Sequence, residues 1–512
     1  MSSEPDVDVL IAGAGPTGLT LACELARRGV AARVVDRAAA RSTWSKALAI
    51  HARTTEALEA MGIADRFLAA GARIRTFNAY AGADRLLQAS FDGLDSPFPF
   101  VVVLPQSETE RILEERLREL GGRLDREAEF VSFAQDEAGV TARLRDAAGG
   151  EGEVRARWLV GCDGAHSAVR HALGIEFEGA SYEETFALAD VRLETDLARD
   201  GVHSFLAPEG VLALFPFPEA GLWRVVADIT GKTPAGAPRR EPPLEEVQAL
   251  LDARGPRGMR ASDPRWASTF RFHRRLAARW RAGRVFLAGD AAHIHSPAGG
   301  QGMNTGMQDA LNLAWKLALV ARGRGREALL DSYEAERRPI AASTILATDR
   351  FVWLATLHNP LAQTVRNKLI PFLGGFEPLR HKVVRTMAEL EVAYPTSPIV
   401  AEDRPPHLAF SEGPAPGARA PGRTTDRETR HRLLVFSRTR AGSDVGELME
   451  KVLARAGDEV AVTLVFPHSP EHARYAPHGP AAYLIRPDGY VGYRAEPPDA
   501  AKIVAYLDTI LT

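Results

Sequence analysis

The sequence predicts an α/β protein with several domains, and three observations support that fold class. The chain has 512 residues, a length typical of about three domains. Residues 7–36 place an apolar strand, a glycine-rich turn, an apolar helix and a second strand in succession. After residue 400 a segment rich in Pro, Gly, Arg and Thr precedes a new run of strands and helices.

The composition is that of an ordinary globular protein. It is 45% hydrophobic and 25% charged, with a formal net charge of -3, so no basic field predicts a nucleic acid or anionic membrane as partner. Two distant cysteines, Cys23 and Cys162, predict neither a disulfide framework nor a zinc site. The start of the chain lacks a basic and apolar leader, and no run of 18 apolar residues occurs. We therefore expect a cytoplasmic protein without a membrane partner.

The first strand–turn–helix–strand unit has the pattern of a dinucleotide site. A strand at residues 7–11 leads into a G-x-G-x-x-G turn, and the second strand ends at an acid followed by a basic residue. Glycines let the backbone approach a diphosphate at the helix N-terminus, and the acid accepts bonds from a ribose. At this point FAD and NAD remain equally open. The candidate cofactor-binding residues here are Gly13, Gly15, Pro16, Thr17, Gly18, Asp36 and Arg37.

Two later segments repeat the arrangement of a strand followed by a Gly/Asp turn. Residues 156–174 place Asp163 and a glycine between a strand and a helix, and residues 284–320 place Gly289 and Asp290 at a strand tip. In this trio the chain resembles the class A flavoprotein aromatic hydroxylases, the para-hydroxybenzoate hydroxylase superfamily. Its motifs are most similar to those of the three-domain group that acts on polyketides and other bulky phenols.

The resemblance implies FAD as the cofactor and assigns residues to it. Asp163 and Asp290 are expected near the flavin, with Asp290 bonded to the ribityl chain. The turn from Pro297 to Asn304 is expected at the edge of the isoalloxazine ring, where backbone N–H groups stabilise negative charge. We expect Pro297, Gly299 and Gly300 to act there as catalytic backbone, with no side-chain acid or base. Further cofactor contacts implied by the family are Lys46, Gln106, Val131, Gly289, Gly302, Met303 and Asn304.

The resemblance also implies the chemistry. NADPH or NADH reduces FAD, O2 forms a flavin C4a-hydroperoxide, and one oxygen atom passes to an electron-rich aromatic ring. No second G-x-G-x-x-G unit occurs, so NAD(P)H is expected to visit transiently, with the region of Asp163 and Arg170 contributing. His293 and His295 are interpreted as turn-stabilising residues, because no Cys or carboxylate cluster accompanies them to hold a metal.

The substrate domain is expected at residues 176–264, as an α+β layer built on antiparallel strands. Strands near residues 74–105, around Phe77 and Tyr80, are expected to join it. An apolar set within this region predicts an aromatic-binding wall, although the same residues also fit the buried face of the sheet. These candidate substrate residues are Phe205, Leu212, Leu214, Phe215, Phe217 and Trp223.

The resemblance also implies how the chain divides into domains. A Rossmann-like FAD-binding domain is discontinuous, at residues 1–175 and 265–399, and residues 400–512 resemble the thioredoxin-like domain of the larger hydroxylases. Residues 488–489, Asp-Gly between apolar stretches, predict a hairpin there. No cysteine lies in this part, which excludes thiol exchange and leaves a structural or subunit-contact role, in a monomer or homodimer.

Three alternatives to a polyketide hydroxylase remain open from the sequence. The same fold could hydroxylate a simple phenol in aromatic catabolism. It could instead carry out a related flavin reaction, such as Baeyer–Villiger oxygen insertion, double-bond reduction or oxidation without oxygen insertion. The third alternative is a flavin-holding protein that binds a ligand without turnover. A plain NAD dehydrogenase would leave the second and third motifs unexplained.

Overall fold

The computed structural model describes residues 5–42, 47–230, 240–296, 298–357, 359–405, 413–422, 429–438 and 445–512. Its strands in chain order are β1 (Val7–Ala12), β2 (Ala32–Asp36), β3 (Ala49–Ile50), β4 (Ala72–Ile74), β5 (Thr76–Ala81), β6 (Asp84–Ser90), β7 (Val101–Val103), β8 (Arg123–Arg126), β9 (Ala128–Gln135), β10 (Val140–Asp146), β11 (Glu151–Gly161), β12 (Phe177–Glu194), β13 (Gly201–Ala207), β14 (Gly210–Pro216), β15 (Leu222–Asp228), β16 (Arg260–Ala277), β17 (Arg281–Ala282), β18 (Val285–Leu287), β19 (His293–Ile294), β20 (Ala401–Asp403), β21 (His431–Phe436), β22 (Val460–Val465), β23 (Ala481–Ile485) and β24 (Val491–Ala495).

The helices alternate with these strands, which confirms the mixed α/β class. In chain order they are α1 (Pro16–Arg27), α2 (Ala52–Ala60), α3 (Ala64–Ala70), α4 (Gln106–Glu119), α5 (Ala168–Ala172), α6 (Leu244–Arg254), α7 (Gly302–Ala321), α8 (Ser332–Ala355), α9 (Pro360–Gly374), α10 (Glu377–Met387), α11 (Gly446–Ala456), α12 (Pro470–Tyr475) and α13 (Ala500–Ile510). Short 3-10 turns cover Gly289–Ala291 and Ala298–Gly300, the two ends of the segment that joins β18 to α7.

The first sheet runs in the order β17-β18-β11-β1-β2-β8, with β9 and β10 attached beside β11. β1 is central and pairs in parallel with both β11 and β2. Its residues from Val9 onward are buried, as expected for a parallel strand covered on both faces. Helices α1 and α7 pack together on this sheet. Because the parallel strands end at one edge, the turns after β1, β11 and β18 meet there.

The second sheet has the order β19-β16-β12-β15-β14-β13-β5-β6. Its pairs are antiparallel except β13 with β5, which is parallel. The early strands β5 and β6 thus lie at one edge, whereas β19, from the segment after Gly289, lies at the other. β16 runs from Arg260 to Ala277 and belongs wholly to this sheet, so the domain border expected between residues 264 and 265 falls inside a strand.

The third sheet has the order β20-β24-β23-β21-β22 and closes the chain. β21 and β22 are parallel, whereas β23 is antiparallel to both of its neighbours. The predicted hairpin at residues 488–489 is confirmed, since β23 and β24 flank it and Gly489 has a positive φ. The hydrophobic core of the third sheet is continuous with that of the first sheet, because Leu433 and Leu484 belong to the same buried cluster as Val9.

Among the described residues, no single helix has both the length and the apolar character needed to cross a bilayer. The segments Glu327–Ala355 and Pro360–Gly374 meet that test only when taken together, and they are bent by 114° relative to each other.

Candidate functional site

The glycine turn after β1 fits closely against the end of β11. A Cβ atom placed on Gly13, whose φ is +105°, would lie 2.3 Å from the carbonyl oxygen of Cys162. One placed on Gly18 would lie 2.0 Å from the carbonyl oxygen of Gly13. A Cβ on Gly15 would meet nothing within 4 Å, so this position faces open space. Only glycine permits this close approach at positions 13 and 18, whereas the open space at Gly15 leaves room for a ligand.

Helix α1 begins immediately at that open space. Pro16 occupies its first turn, and its N-cap, Gly15, supplies no side-chain cap. The unpaired N–H groups and the helix dipole therefore face the opening and favour an anion. At its rim, the Oδ2 atom of Asp36 accepts a hydrogen bond of 2.7 Å from the amide of Ala14. The acid predicted to bind a ribose is thus beside the turn, while Arg37 is exposed next to it.

Thr17 joins the first motif to the third. A Cβ atom on Gly289 or on Gly306 would in each case lie 2.5 Å from the Oγ1 atom of Thr17. The amide of Gly289 donates to Asp309 Oδ2 on α7 at 3.1 Å. Two glycines therefore allow α1, α7 and the tip of β18 to converge. Asp290, the next residue, is exposed at this edge of the sheet.

The second motif contributes a buried acceptor to the same edge. The Oδ2 atom of Asp163 accepts a hydrogen bond of 3.1 Å from the amide of Val169. Its Oδ1 atom is buried and has no partner within the part of the chain that the structure describes. A buried carboxylate oxygen without a donor is costly, which fits a site that holds a hydroxyl-bearing ligand.

Arg170, expected to contribute near the nicotinamide, is instead held inside the protein. It donates to the carbonyl oxygens of Ala291 and Ala165, both at 3.0 Å, and its guanidinium lies 3.9 Å from the ring centre of Phe177. It is only 3% exposed. These contacts join the loops of the second and third motifs, so in this arrangement Arg170 braces the site rather than facing solvent.

The side chains of His51 and Asn304 hold the glycine-rich turn before α7 through hydrogen bonds. We call this segment, from Gly299 to Asn304, the clamped turn. His51 Nε2 donates to the carbonyl oxygen of Gly299 at 2.9 Å. Asn304 Oδ1 accepts from the amide of His51, and Asn304 Nδ2 donates to the carbonyl oxygens of Ala49 and Gly300, all at 2.9 Å. Two carbonyl groups of the turn are thereby bound to protein on one side.

His51 was not identified from the sequence. Burial lowers its pKa to about 4, so the ring is neutral at physiological pH and carries its proton on Nε2. No local pattern marks such a residue, since its partner lies 248 positions away. Within the same turn, Pro297 lies outside the described residues, while Gly302 and Met303 form the half-buried first turn of α7.

The two histidines of the third motif bond to neighbouring protein groups. His293 Nε2 lies 2.8 Å from Asp309 Oδ2, and Asp309 Oδ1 accepts from Arg337 at 2.8 Å. Burial alone would raise the pKa of Asp309, but Arg337 and His293 hold it below the ordinary value. His295 Nδ1 lies 2.8 Å from the carbonyl oxygen of Ser296. In the described part of the chain no group of three or more His, Cys, Asp or Glu residues could hold a metal ion.

The remaining cofactor candidates are Gln106, Val131 and Lys46. Gln106 begins α4; its Oε1 atom accepts from the amide of Ala47 at 3.3 Å, and its Nε2 atom donates to Glu110 at 2.8 Å. Val131 is half-buried in β9. Lys46 falls outside the described residues.

The structure divides the substrate candidates between the two faces of the second sheet. Phe205, Leu212, Leu214 and Trp223 are buried with α6 in a closed core and are at most 2% exposed. The prediction that these four line a wall is therefore corrected: alternation along each strand directs them toward α6, where no ligand has access. Phe215 and Phe217 point to the other face.

That second face, here called the open face, adjoins the clamped turn. Phe215, Phe217 and Phe77 belong to one cluster with Ala49, and a Cβ atom on Gly300 would lie 2.6 Å from the Cβ atom of Ala49. The open face also holds a buried ion pair that the sequence did not reveal, in which Arg224 Nε donates to Asp190 Oδ1 at 2.7 Å. Aromatic rings and one fixed polar pair therefore lie on the face of the sheet that adjoins the clamped turn.

Comparison with known proteins agrees with this geometry. Residues 6–348 match the family described as "FAD binding domain". The chain is 38% identical to a 6-methylpretetramide 4-monooxygenase of Streptomyces rimosus, over 99% of this chain and 94% of that protein. It is 33% identical to a pentachlorophenol 4-monooxygenase of Sphingobium chlorophenolicum, over 99% and 97%.

Among solved structures, a ternary complex of aklavinone-11 hydroxylase with FAD and aklavinone superposes with a TM-score of 0.78. It is 28% identical to this chain, and 99% of each chain is covered. The orphaned oxygen of Asp163 and the open space at Gly15 show that the residues present fit such a cofactor. The chain therefore belongs to the FAD binding domain family and is an FAD-dependent aromatic monooxygenase.

Proposed function

We propose that this enzyme inserts one oxygen atom of O2 into a bulky polycyclic phenol, as in the tailoring of aromatic polyketides. The observation that carries the proposal is the convergence of the three turns, at Gly13, Asp163 and Gly289, beside the open face of the second sheet. The relative that acts on 6-methylpretetramide and the aklavinone held by one structural neighbour support the substrate class. The relative that acts on pentachlorophenol makes a simple phenol the alternative substrate.

In this proposal FAD lies along the carboxyl edge of the first sheet. The N-terminus of α1 would hold its diphosphate, and Asp163 and Asp290 would hold its ribityl chain. The isoalloxazine edge meets the turn that ends at Asn304. The cofactor-binding residues we propose are Gly13, Gly15, Pro16, Thr17, Gly18, Asp36, Arg37, Lys46, Gln106, Val131, Asp163, Gly289, Asp290, Pro297, Gly300, Gly302, Met303 and Asn304.

FAD, reduced by NADPH or NADH, supplies the oxygen-transfer chemistry when bound. The protein's part is to present donors at the ring edge, where backbone N–H groups between Pro297 and Gly302 stabilise negative charge. His51 and Asn304 hold the carbonyl oxygens of Gly299 and Gly300, which keeps those acceptors away from an anionic ring. No side-chain acid or base is required of this turn.

The open face of the second sheet is the proposed substrate wall. Phe215 and Phe77, both half-buried, offer aromatic surface for a polycyclic ring system, and the buried Phe217 packs in the same cluster behind them. The Arg224–Asp190 pair fixes a polar point on the same face, and its guanidinium also lies 5.4 Å from the ring centre of Phe217. The buried pair has both partners in place, so it can orient a phenolic oxygen without a large rearrangement.

We also propose that the chain forms three units. The FAD-binding unit comprises residues 1–175 and 265–399, residues 176–264 form the core of the substrate unit, and residues 400–512 form a thioredoxin-like unit. Strands β5, β6 and β19 and the end of β16 extend from the FAD-binding ranges into the sheet of the substrate unit. The order β24-β23-β21-β22, with only β21 and β22 parallel, supports that last assignment. No cysteine lies in residues 400–512, so this unit has no thiol chemistry.

Labelled oxygen tests the reaction. The FAD-loaded enzyme is supplied with 18O2, NADPH or NADH, and tetracyclic phenols beside chlorinated simple phenols. One labelled oxygen on an aromatic carbon of a tetracyclic product supports the proposal. Turnover of simple phenols alone would shift the substrate class, label in a lactone would indicate Baeyer–Villiger insertion, and peroxide without product from every compound would overturn it.

A pair of phenylalanines tests the substrate wall. Phe215→Ala, on the open face, should raise KM for the polycyclic phenol about tenfold or more, because it removes apolar contact with substrate. Phe205→Ala, in the closed core, should mainly lower thermal stability and leave KM unchanged. The reverse outcome would place the substrate on the α6 side of the sheet.

A further inference from the structure

Helix α9 carries its apolar residues on the side that faces away from the protein. Its inner side packs through Ile370, which joins a small apolar cluster with Leu206, and through polar contacts. Gln363 Nε2 donates to the carbonyl oxygens of Pro208 and Leu357, and Arg366 donates to the carbonyl oxygen of Leu206. Both side chains are less than 10% exposed. A surface helix of a monomer normally shows the opposite arrangement, with its apolar stripe turned inward.

The outer side of α9 is a continuous apolar stripe. Leu361 is 79% exposed, Val365 62%, Leu369 48% and Phe372 64%, and their spacing of four, four and three residues places them on one helical face. The stripe continues onto neighbouring helices, through Trp353 of α8 at 65% exposed and Phe376, just before α10, at 55%. We call this region, residues 346–383, the three-helix surface.

The three-helix surface is unique on the described part of the chain. Of the fourteen large hydrophobic side chains exposed there, all but Leu453 and Phe466 lie in it, which leaves twelve. Taking about 150–250 Å² for a fully accessible large side chain, the exposed apolar area is on the order of 1,000 Å². This exceeds the few hundred Å² usual on a monomer and matches the ~800 Å² that each partner buries in a standard interface.

We propose that the three-helix surface is the contact between two copies of this chain. Covering it requires an apolar surface of similar size, and within the described residues only the same surface of a second copy offers one. The pairing is then isologous, with each copy presenting the same patch. Arg350, Lys368, Arg380 and Lys382 border the apolar side chains and would form the polar rim.

Solution mass tests the proposal with the full-length, FAD-loaded enzyme. Light scattering and sedimentation at micromolar concentration should give twice the chain mass of 55.5 kDa. The double variant Val365→Glu/Phe372→Glu should give 55.5 kDa, because four buried carboxylates would face each other across the two-fold axis. Leu453→Glu and Phe466→Glu, at the two exposed apolar positions elsewhere, should leave the mass of the wild type unchanged.

Bound flavin absorbance and thermal midpoint establish that the double variant folds, which is expected because both side chains are exposed. A wild-type enzyme that stays at 55.5 kDa would overturn the proposal. The basic rim would also suit an anionic bilayer, so a second experiment measures whether the protein sediments with phosphatidylglycerol vesicles. A monomer that sediments with these vesicles, and a double variant that does not, would assign the surface to lipid instead.

Discussion

At the scale of single residues, buried polar side chains around the carboxyl edge of the first sheet determine how the site is held. His51 is the clearest example, because its ring and its backbone amide each bind a different part of the segment from Gly299 to Asn304. Both of these bonds go to protein atoms. We therefore expect its effect on the flavin to pass through the geometry of the turn, as a positioning residue.

His51→Ala should make the reduction potential of bound FAD more negative. Without the donor, the carbonyl oxygen of Gly299 loses its partner, and the turn no longer holds its N–H groups against the reduced ring. Potentiometric titration of the purified holoenzyme measures the change. His51→Gln, which keeps a donor near the position of Nε2, should restore most of the wild-type potential. Equal potentials in all three proteins would show that this contact does not tune the flavin.

Glu389 predicts a pH dependence of stability. Burial raises its pKa from 4.5 to about 8, although Arg337 opposes the shift, and Gln308 donates to its carboxyl group. The folded protein therefore holds a proton that the unfolded chain releases above pH 4.5. The stability linked to this proton is complete below pH 4.5 and is lost as pH rises toward 8.

Glu389→Gln should remove that dependence. Urea unfolding from pH 5 to 8 should show the free energy of unfolding of the wild type falling relative to the variant, by on the order of a few kcal/mol. Parallel stability curves for the two proteins would contradict the raised pKa. Glu391→Gln, at a more exposed acid paired with Arg385, serves as the control and should run parallel to the wild type.

At the scale of elements, the crossing of α1 and α7 brings the three motifs together. It depends on small residues, since Gly289 and Gly306 each leave space for Thr17. The strand–turn–helix pattern predicted a helix after each of the two glycine-rich turns, where α1 and α7 lie, because local spacing decides those elements. The sequence could not predict which helices pack against each other, since that contact joins residues almost 300 positions apart.

Gly306→Ala should lower FAD affinity and reduce stability by about 1–3 kcal/mol. The added methyl group would lie 2.5 Å from Thr17 Oγ1 and 3.1 Å from the Cα atom of Gly289, which forces α1 and the tip of β18 apart. Flavin titration by fluorescence and urea unfolding measure the two effects. Thr17→Ala/Gly306→Ala should recover part of both losses, whereas strictly additive losses would show that the clash is not the cause.

For the strands of the substrate region, the sequence could not predict which face of the sheet meets a ligand. Apolar alternation in β13, β14 and β15 was visible in the sequence, but it does not say which face meets a ligand and which meets a helix. The position of α6 decides this, because it covers Phe205, Leu214 and Trp223. Phe215 and Phe217 remain candidates because the opposite face adjoins β3 and the clamped turn.

At the scale of the whole molecule, a buried ionic network fastens the third sheet to the flavin-binding part. Arg486 donates to both carboxylate oxygens of Glu336, at 2.6 and 2.9 Å, and to Asp488. Lys316 donates to Glu336 at 2.8 Å, and Trp315 to Asp488 at 3.1 Å. Since α7 also begins at the glycine-rich turn, the C-terminal unit and the cofactor edge are attached to one helix.

Arg486→Met should destabilise the protein by about 3–5 kcal/mol, because Glu336 and Asp488 would be left buried without their main cationic partner. The free energy of unfolding by urea measures the loss. Lys502→Met removes an exposed ion pair with Asp403 in the same unit and should leave the free energy of unfolding nearly unchanged, because solvent screens such a pair. Similar losses in the two variants would mean that the network is not a main link between the units.

The sequence by itself determined the α/β class, the three motifs that mark a flavin site, the hairpin at residues 488–489 and the family. These follow from local order, because a strand, a tight turn and a helix N-terminus are set by residues close together in the chain.

Only the tertiary structure decided the rest: that His51 and Asn304 clamp the turn, that Asp163 has a buried oxygen without a partner among the described residues, that one face of the second sheet adjoins the clamped turn, and that α9 is apolar on its outside. Each depends on contacts between distant segments, and the physical reason is that burial and pairing are properties of the packed chain. A sequence pattern shows which residues could be buried, but only the neighbours supplied by the fold determine which ones are.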